Sequence, residues 1–258
     1  MFTVYHFIWL GICLILFAAA FRVLKTRRPP LRKLLSIACV GAVLSELTKT
    51  LSVLEMVPAS DGSTMHLYLE MQHLPLHLCS IQILFIFYVR FAKDGPAKET
   101  LLAFMYPSCT IGAFCALMMP SIFSTSISVT QAFTHPLAYQ FFLYHAMLVI
   151  LGLYIAASGE VDIRPKHYLY SLGILGTLSF FAIYFNSIFA VPHYVNGELV
   201  SVDYSTNFFF TQRTPIGIEL TEKWQWMLYI GVIAALAVVL MGLFYLPFIR
   251  RARRKQER

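Results

Sequence analysis

The stretch WQWMLYIGVIAALAVVLMGLFYLPFI, residues 224–249, contains no charged residue and indicates a membrane-spanning helix. About 20 apolar residues in a helix are enough to cross the hydrocarbon core of a bilayer. Six further apolar runs of similar length precede it, at about 3–24, 34–57, 74–92, 99–119, 137–157 and 168–190. Backbone inside a bilayer must satisfy its own hydrogen bonds, and these runs are too long and unalternating for barrel strands. We therefore predict an all-α polytopic membrane protein with seven transmembrane helices.

The composition agrees with one membrane domain and nothing else. Hydrophobic residues make up 58% of the chain and charged residues 13%, and the mean hydropathy is +0.68. Too few residues lie outside the apolar runs to build a soluble domain, so we expect residues 1–258 to form a single unit. The first run lacks a preceding basic segment and is longer than the apolar part of a signal peptide, so we expect it to be retained as a span.

Basic residues predict the orientation because they gather in every second loop. Loops rich in lysine and arginine stay in the cytoplasm, which places the N-terminus outside and the C-terminus inside, as an odd number of spans requires. The opposite loops carry only Arg213 and Lys223. The cytoplasmic set is Lys25, Arg27, Arg28, Arg32, Lys33, Arg90, Lys93, Lys98, Arg164, Lys166 and the tail 250–258 that begins at Arg250.

This topology also accounts for the net charge of +7. No nucleic-acid partner is needed to explain it. The basic tail is instead suited to a weak contact with anionic lipid headgroups.

The hexapeptide Leu74-Pro75-Leu76-His77-Leu78-Cys79 opens the third predicted helix. Pro75 suits the first turn of a helix, where its missing N–H costs nothing, and Cys79 then lies about one turn deep. Nucleophilic or ionisable groups at such a depth are costly and mark candidate sites. The helix N-terminus favours a thiolate while burial opposes it, and the sequence leaves the outcome open.

A reactive cysteine needs a base. On a helix, residues that are two positions apart in sequence lie about 200° apart around the axis. His77 would therefore point away from Cys79. His145, in the fifth predicted helix, lies at a comparable depth, and a Cys79–His145 pair would match the nucleophile and base of covalent catalysis. Gln82 shares the face of Cys79 and would either stabilise developing charge or form an ordinary interhelical hydrogen bond. Plain packing roles for Cys79 and His145 remain open.

Glu46 and Lys49 lie three residues apart near the middle of the second predicted helix, with Glu55 nearer its outer end. They would form either a structural ion pair or part of a proton or ion pathway.

Metal and disulfide sites are not predicted. Glu70, His73 and His77 would share a helix face, but Pro75 interrupts the helix that this face requires. The cysteines show no zinc-binding spacing, and none lies in an outer loop where a structural disulfide is expected. All five lie inside predicted helices: Cys13, Cys39, Cys79, Cys109 and Cys115.

The outer side carries the long connections 58–73, 120–136 and 191–223. Asn196-Gly197 between two β-prone runs predicts a hairpin. We also expect a polar lining of an outward-facing cavity, in which Arg213 would suit a phosphate. Its members are Asn186, Asn207, Gln212 and Arg213.

The hexapeptide, the histidine in the fifth predicted helix and the Asn-plus-aromatic segment before the last helix resemble the YwaF-type bacterial integral membrane proteins. These are distant relatives of eukaryotic transmembrane protein 164, and the resemblance covers the whole chain in the order of its elements. It implies a cysteine-dependent acyltransferase of the bacterial cytoplasmic membrane that acts on a phospholipid or lysophospholipid, with Cys79 as nucleophile and His145 as base. It implies no cofactor. The family segment Asn-Tyr-Met is here Asn207-Phe208-Phe209.

Two alternatives compete with this interpretation, in which His77, Gln82 and Arg213 have supporting roles. A small-solute or proton-coupled transporter would use Glu46, Lys49 and His145 as relay groups. A zinc-dependent lipid hydrolase would place two histidines on the last helix, and no histidine follows His193.

Overall fold

The structure is a computed structural model that describes residues 2–256. Seven helices of 14 residues or more and one four-residue turn, α5, account for most of the chain. Their bounds are α1 Val4–Arg27, α2 Leu31–Val53, α3 Leu78–Phe91, α4 Pro96–Met118, α5 Ile122–Thr125, α6 Pro136–Ala157, α7 Pro165–Ile188 and α8 Lys223–Gln256.

Each of the seven predicted apolar runs overlaps one of the seven long helices, so the mostly helical membrane class is confirmed. Six of them are long and apolar enough to cross a membrane. The exception is α3, whose 14 residues span about 21 Å at 1.5 Å per residue, less than the roughly 30 Å of the hydrocarbon core. The orientation of the termini stays a prediction.

The start of α3 differs from the prediction. The helix begins at Leu78 rather than at residue 74, and His77 is its N-cap with φ −70° and ψ 149°. Leu74 is extended at ψ 146°, as expected for a residue before proline. Pro75 therefore lies in a turn ahead of the helix, and Cys79 is the second helical residue.

The end of α2 also differs. This helix ends at Val53 instead of residue 57, and Glu55 lies in a strand rather than on the helix. The midpoint of α2 is close to residue 42, so Glu46 and Lys49 occupy its last two turns rather than the middle of the helix.

The last helix is longer than predicted. Its 34 residues extend about 51 Å, well beyond the hydrocarbon core. The predicted tail 250–258 is therefore a helical continuation as far as Gln256, and residues 257–258 lie outside the described part.

Two antiparallel hairpins interrupt the helical fold. Strands β1 Glu55–Pro58 and β2 Met65–Tyr68 connect α2 to α3, and β3 Val191–Val195 pairs with β4 Glu198–Asp203 after α7. Asn196 and Gly197 have φ of 52° and 85°, the positive values that a two-residue hairpin turn requires. The hairpin at Asn196-Gly197 is confirmed, and the β1–β2 hairpin was not predicted.

The core is built around α4 and α6, the two most buried helices. Gly152 allows their close approach, because a Cβ on it would lie 2.9 Å from the Tyr106 carbonyl oxygen. Helix α2 packs on α6, α3 packs on α2 and α4, and α7 packs on α4, while α8 contacts mainly α7. Large parts of α1, α7 and α8 keep exposed apolar faces, as expected for helices in contact with lipid.

Candidate functional site

Four contacts show that α3 and α6 begin at the end of the bundle where α2 and α7 finish. Gln140, in the second turn of α6, donates a hydrogen bond of 2.7 Å to Ser45 in the second half of α2. The Tyr144 hydroxyl of α6 donates a hydrogen bond of 2.9 Å to the Cys79 carbonyl of α3. The rings of His77 and Phe208 lie 4.9 Å apart, and Phe208 is hydrogen bonded to Asn186 near the end of α7. We call this end of the molecule the site end.

Cys79 lies in the first turn of α3, partly buried by α4 and α6. Its side chain packs against the buried core that includes Cys109 of α4. The first turn of a helix presents free N–H groups and a partial positive charge. The helix end favours a negatively charged sulfur or an oxyanion formed next to it, whereas the burial of the thiol opposes its ionisation.

His145 is buried in α6 with one ring nitrogen committed to the backbone. Its Nδ1 lies 2.6 Å from the Phe141 carbonyl oxygen, and because a carbonyl can only accept, Nδ1 carries the proton. In the neutral ring Nε2 then has a free lone pair, and no hydrogen bond to Nε2 occurs within residues 2–256. This tautomer is the one a general base needs.

The connection between Cys79 and His145 is indirect in this structure. Tyr144, which contacts the Cys79 carbonyl, immediately precedes His145 in α6. No hydrogen bond joins the thiol to the imidazole within the described residues. The predicted pair therefore lies on two adjoining helix segments, and its direct contact stays a prediction.

His77 must be considered again, because the helical angle that separated it from Cys79 does not apply to an N-cap residue. Its ring packs edge-on against Phe208, and its position directly before α3 places it at the same helix start as Cys79. His77 is therefore a second candidate for proton transfer.

Gln82 connects α3 to α4. It is fully buried, its Nε2 donates to Ser108 Oγ at 3.0 Å, and its Oε1 accepts from the Cys109 thiol at 3.2 Å. The Ser108 hydroxyl in turn donates to the Phe104 carbonyl at 2.8 Å. Both ends of the amide thus form hydrogen bonds to α4, as in the interhelical bond that the sequence left as an alternative. Gln82 fixes α3 against α4 one turn below Cys79.

Asn186 holds the segment that follows the β3–β4 hairpin. Its side-chain amide donates to the Phe208 carbonyl at 3.0 Å and to Thr211 Oγ1 at 2.8 Å, and its Oδ1 accepts from the Phe208 amide at 2.9 Å. Asn186 and Phe208 are fully buried. Asn186, which was predicted to line a cavity, instead holds Phe208 in place by hydrogen bonds, and Phe208 contacts His77.

Asn207 and Arg213 have similar structural contacts. Asn207 Oδ1 accepts from the amides of Gln212 at 3.0 Å and Arg213 at 3.1 Å, and the Arg213 guanidinium donates to the Tyr204 carbonyl at 2.8 Å. These bonds shape the loop 204–213. Arg213 remains exposed and keeps donors available for an anion.

Ionisable side chains also lie at the site end. Lys49 Nζ lies 2.7 Å from Glu46 Oε1, and His73 Nε2 lies 3.7 Å from Glu70 Oε2. Burial lowers the pKa of His73, while Glu70 raises it and Lys49 lowers it. No group of three or more His, Cys, Asp or Glu side chains arranged to hold a metal occurs in the described part of the chain.

A groove of about 550 Å³ lies between α2 and α6 and extends as far as Tyr144, whereas Cys79 and His145 are not among its lining residues. Its lining is mostly apolar, with Leu44 and Leu143 as examples, and its polar part is the bond of 2.7 Å from Gln140 Nε2 to Ser45 Oγ. Tyr144 also lines the groove, so the side chain that contacts Cys79 is reached from it. Among ligand sites, the volume is typical of a small molecule or of part of a larger one.

The fold is that of a multi-pass helical membrane protein, in which the start of α3, with His77 and Cys79, lies beside the segment of α6 that carries His145. The chain belongs to the TMEM164 family, whose model matches residues 1–245. No curated protein and no solved structure matches the chain significantly. The narrower YwaF-type assignment stays a prediction.

Proposed function

We propose that this protein is a membrane-embedded acyltransferase or acyl hydrolase that uses Cys79 as nucleophile and His145 as general base on a phospholipid or lysophospholipid. The observation that carries the proposal is the Tyr144–Cys79 hydrogen bond. It holds the first turn of α3 beside the α6 segment in which His145 has a free Nε2. Family membership and the mostly apolar groove between α2 and α6 support the same conclusion.

The chemistry follows the two-step scheme of covalent catalysis. His145 Nε2 accepts the Cys79 proton, and the thiolate attacks the ester carbonyl of the lipid. The tetrahedral intermediate expels the lysolipid alkoxide, which takes the proton from His145 and leaves an acyl thioester on Cys79. A lysolipid hydroxyl or water then attacks the thioester, again with His145 as base, and the released Cys79 thiolate regains its proton.

The surroundings of Cys79 support individual steps. The free amides in the first turn of α3 lie where the carbonyl oxygen becomes negatively charged, and such donors stabilise an oxyanion. Lipid enters from the side through the groove between α2 and α6. Gln82, held by Ser108 and Cys109, keeps α3 in place, and Arg213 is suited to contact a headgroup phosphate.

The test is intact-protein mass spectrometry of purified protein incubated with mixed phospholipids, before and after hydroxylamine. We expect a hydroxylamine-labile acyl adduct on the wild-type protein. Cys79→Ala should carry none, and His145→Ala should form it much more slowly. Cys115→Ala is the matched control, because it removes the exposed thiol on α4 and should keep the adduct.

Other patterns would distinguish the alternatives. An adduct that persists in Cys79→Ala would contradict the mechanism. Loss of the adduct in His77→Ala, with normal formation in His145→Ala, would transfer the role of base to His77. Full acyl transfer by Cys79→Ser would also exclude the thioester route.

A further inference from the structure

The β1–β2 hairpin has one face of apolar side chains only, and its opposite face, which we call the polar face, mixes polar with apolar side chains. Paired residues of an antiparallel ladder share a face, and the pairs Met56↔Leu67 and Pro58↔Met65 form the apolar one. Its side chains are exposed, Leu67 by 67%. The opposite face carries Glu55 and His66, paired with Tyr68 and Val57.

The β3–β4 hairpin repeats this division. Pro192↔Val202 and Tyr194↔Leu199 form an apolar face, and Tyr194 is 63% exposed. A register shift next to Tyr194 leaves Val200 without a paired residue on β3. The opposite face carries Ser201, Glu198 and an ion pair of 2.8 Å between His193 and Asp203, together with Val191 and Val195.

The protein itself covers neither apolar face. Among residues 2–256, each hairpin strand makes an extensive contact only with its own partner strand. Soluble proteins seldom expose such faces unless they serve an interaction. The two hairpins are separated by more than 120 residues of sequence. An exposed apolar hairpin face therefore occurs at two independent places of the chain, both at the site end.

The surroundings indicate which partner covers them. Strand β1 begins two residues after α2, and β3 begins three residues after α7. The final turns of these helices expose apolar side chains, such as Leu51 by 73% and Ile188 by 52%. The apolar faces are therefore continuous in the chain with the lipid-facing surface of the bundle.

Two tryptophans also lie at the site end. Trp224 and Trp226 open α8 at the site end, and Trp226 Nε1 donates to the Thr211 carbonyl at 2.8 Å. Tryptophan in this position is typical of the boundary between headgroups and acyl chains.

We propose that the apolar faces of both hairpins insert into the phospholipid interface at the site end. Each hairpin then lies in the plane of the membrane surface with its polar face toward water, as an interfacial amphipathic helix does. The β3–β4 hairpin leads directly into the segment that places Phe208 on His77. Insertion therefore fixes this segment relative to the lipid surface, and it does so whether or not Cys79 is a nucleophile.

The test uses a benzophenone amino acid at single positions of the full chain in nanodiscs of dioleoylphosphatidylcholine. Illumination should add the mass of one lipid at Tyr194 and at Leu67 in several-fold higher yield than at the polar-face controls Ser201 and His66. The two hairpins provide independent variants, so a failure to fold in one leaves the other as the test.

Three results would overturn the proposal. Equal lipid yields on both faces would show no preferred side. A cross-linked dimer from Tyr194 or Leu67 would assign these faces to a second copy of the chain. Absence of lipid adducts at both apolar-face positions, from folded protein, would show that the faces lie outside the interface.

Discussion

Tyr245 compensates for a hydrogen bond that Pro107 removes from α4. A proline inside a helix cannot donate to the carbonyl four residues earlier, which here belongs to Ala103. The buried Tyr245 hydroxyl of α8 donates to that carbonyl at 2.7 Å and also lies 2.8 Å from Ser171 Oγ on α7. One side chain thus joins α8 to α4 and α7.

Tyr245→Phe should therefore lower the free energy of unfolding by about 1–3 kcal/mol, because it leaves a buried carbonyl unsatisfied. The measurement is reversible unfolding in detergent, compared with Tyr170→Phe at an exposed position of α7. In a Pro107→Ala background the residue at position 107 has an N–H that can donate to the Ala103 carbonyl. Tyr245→Phe should therefore lower the free energy of unfolding by less in that background. An equal cost in both backgrounds would contradict this explanation.

At the scale of residues, the sequence indicated Cys79 and His145 because polar groups are conspicuous in apolar helices. It did not indicate Tyr144, which lies next to His145 and contacts Cys79. A tyrosine in an apolar run is common, and its significance depends on how α3 packs on α6. Gln82 and Asn186 were noticed for their polarity, but their partners on α4 and in the loop 204–213 could not be read from the sequence.

At the scale of elements, the seven long helices were predictable because each coincides with a long run of apolar residues. The start of α3 was not, since Leu74, Leu76 and Leu78 continue the apolar run while Pro75 keeps Leu74 extended. The dipeptide Asn196-Gly197 predicted one hairpin. The other turns over a longer loop in which Gly62 has φ 70°, so its sequence resembled an ordinary connection.

The contact between α4 and α6 depends on the absence of a side chain at Gly152. A methyl group there would lie 2.9 Å from the Tyr106 carbonyl oxygen and 3.0 Å from the Thr110 amide nitrogen. Neither backbone atom can move without shifting α4. Gly152→Ala should therefore reduce stability by about 1–3 kcal/mol, the usual cost of overpacking.

Gly173→Ala on α7 is the matched control, because no atom lies within 4 Å of its added methyl group. In a helix this change is expected to be neutral or to stabilise by up to about 1 kcal/mol. Thermal unfolding of both variants in the same detergent gives the comparison. Equal midpoints would mean that the helices adjust to Gly152→Ala without strain.

At the scale of the whole molecule, the two ends of the bundle differ in chemistry. The site end carries the cysteine and histidine cluster and both hairpins. The opposite end carries most of the basic residues, and its loops are tied together by the Glu160 carboxylate, which accepts from the Leu31 amide at 2.7 Å, and by the Tyr154 hydroxyl on the Pro29 carbonyl.

This asymmetry predicts that the site end faces outward, because basic loops remain in the cytoplasm. Ser60→Cys, in the exposed β1–β2 turn, should react with a membrane-impermeant maleimide in intact spheroplasts. Asp94→Cys, in the exposed loop between α3 and α4, should react only after permeabilisation. The wild-type protein gives the background from its five native cysteines. The reverse labelling pattern would invert the topology and place the Cys79 cluster, with both hairpins, at the cytoplasmic leaflet.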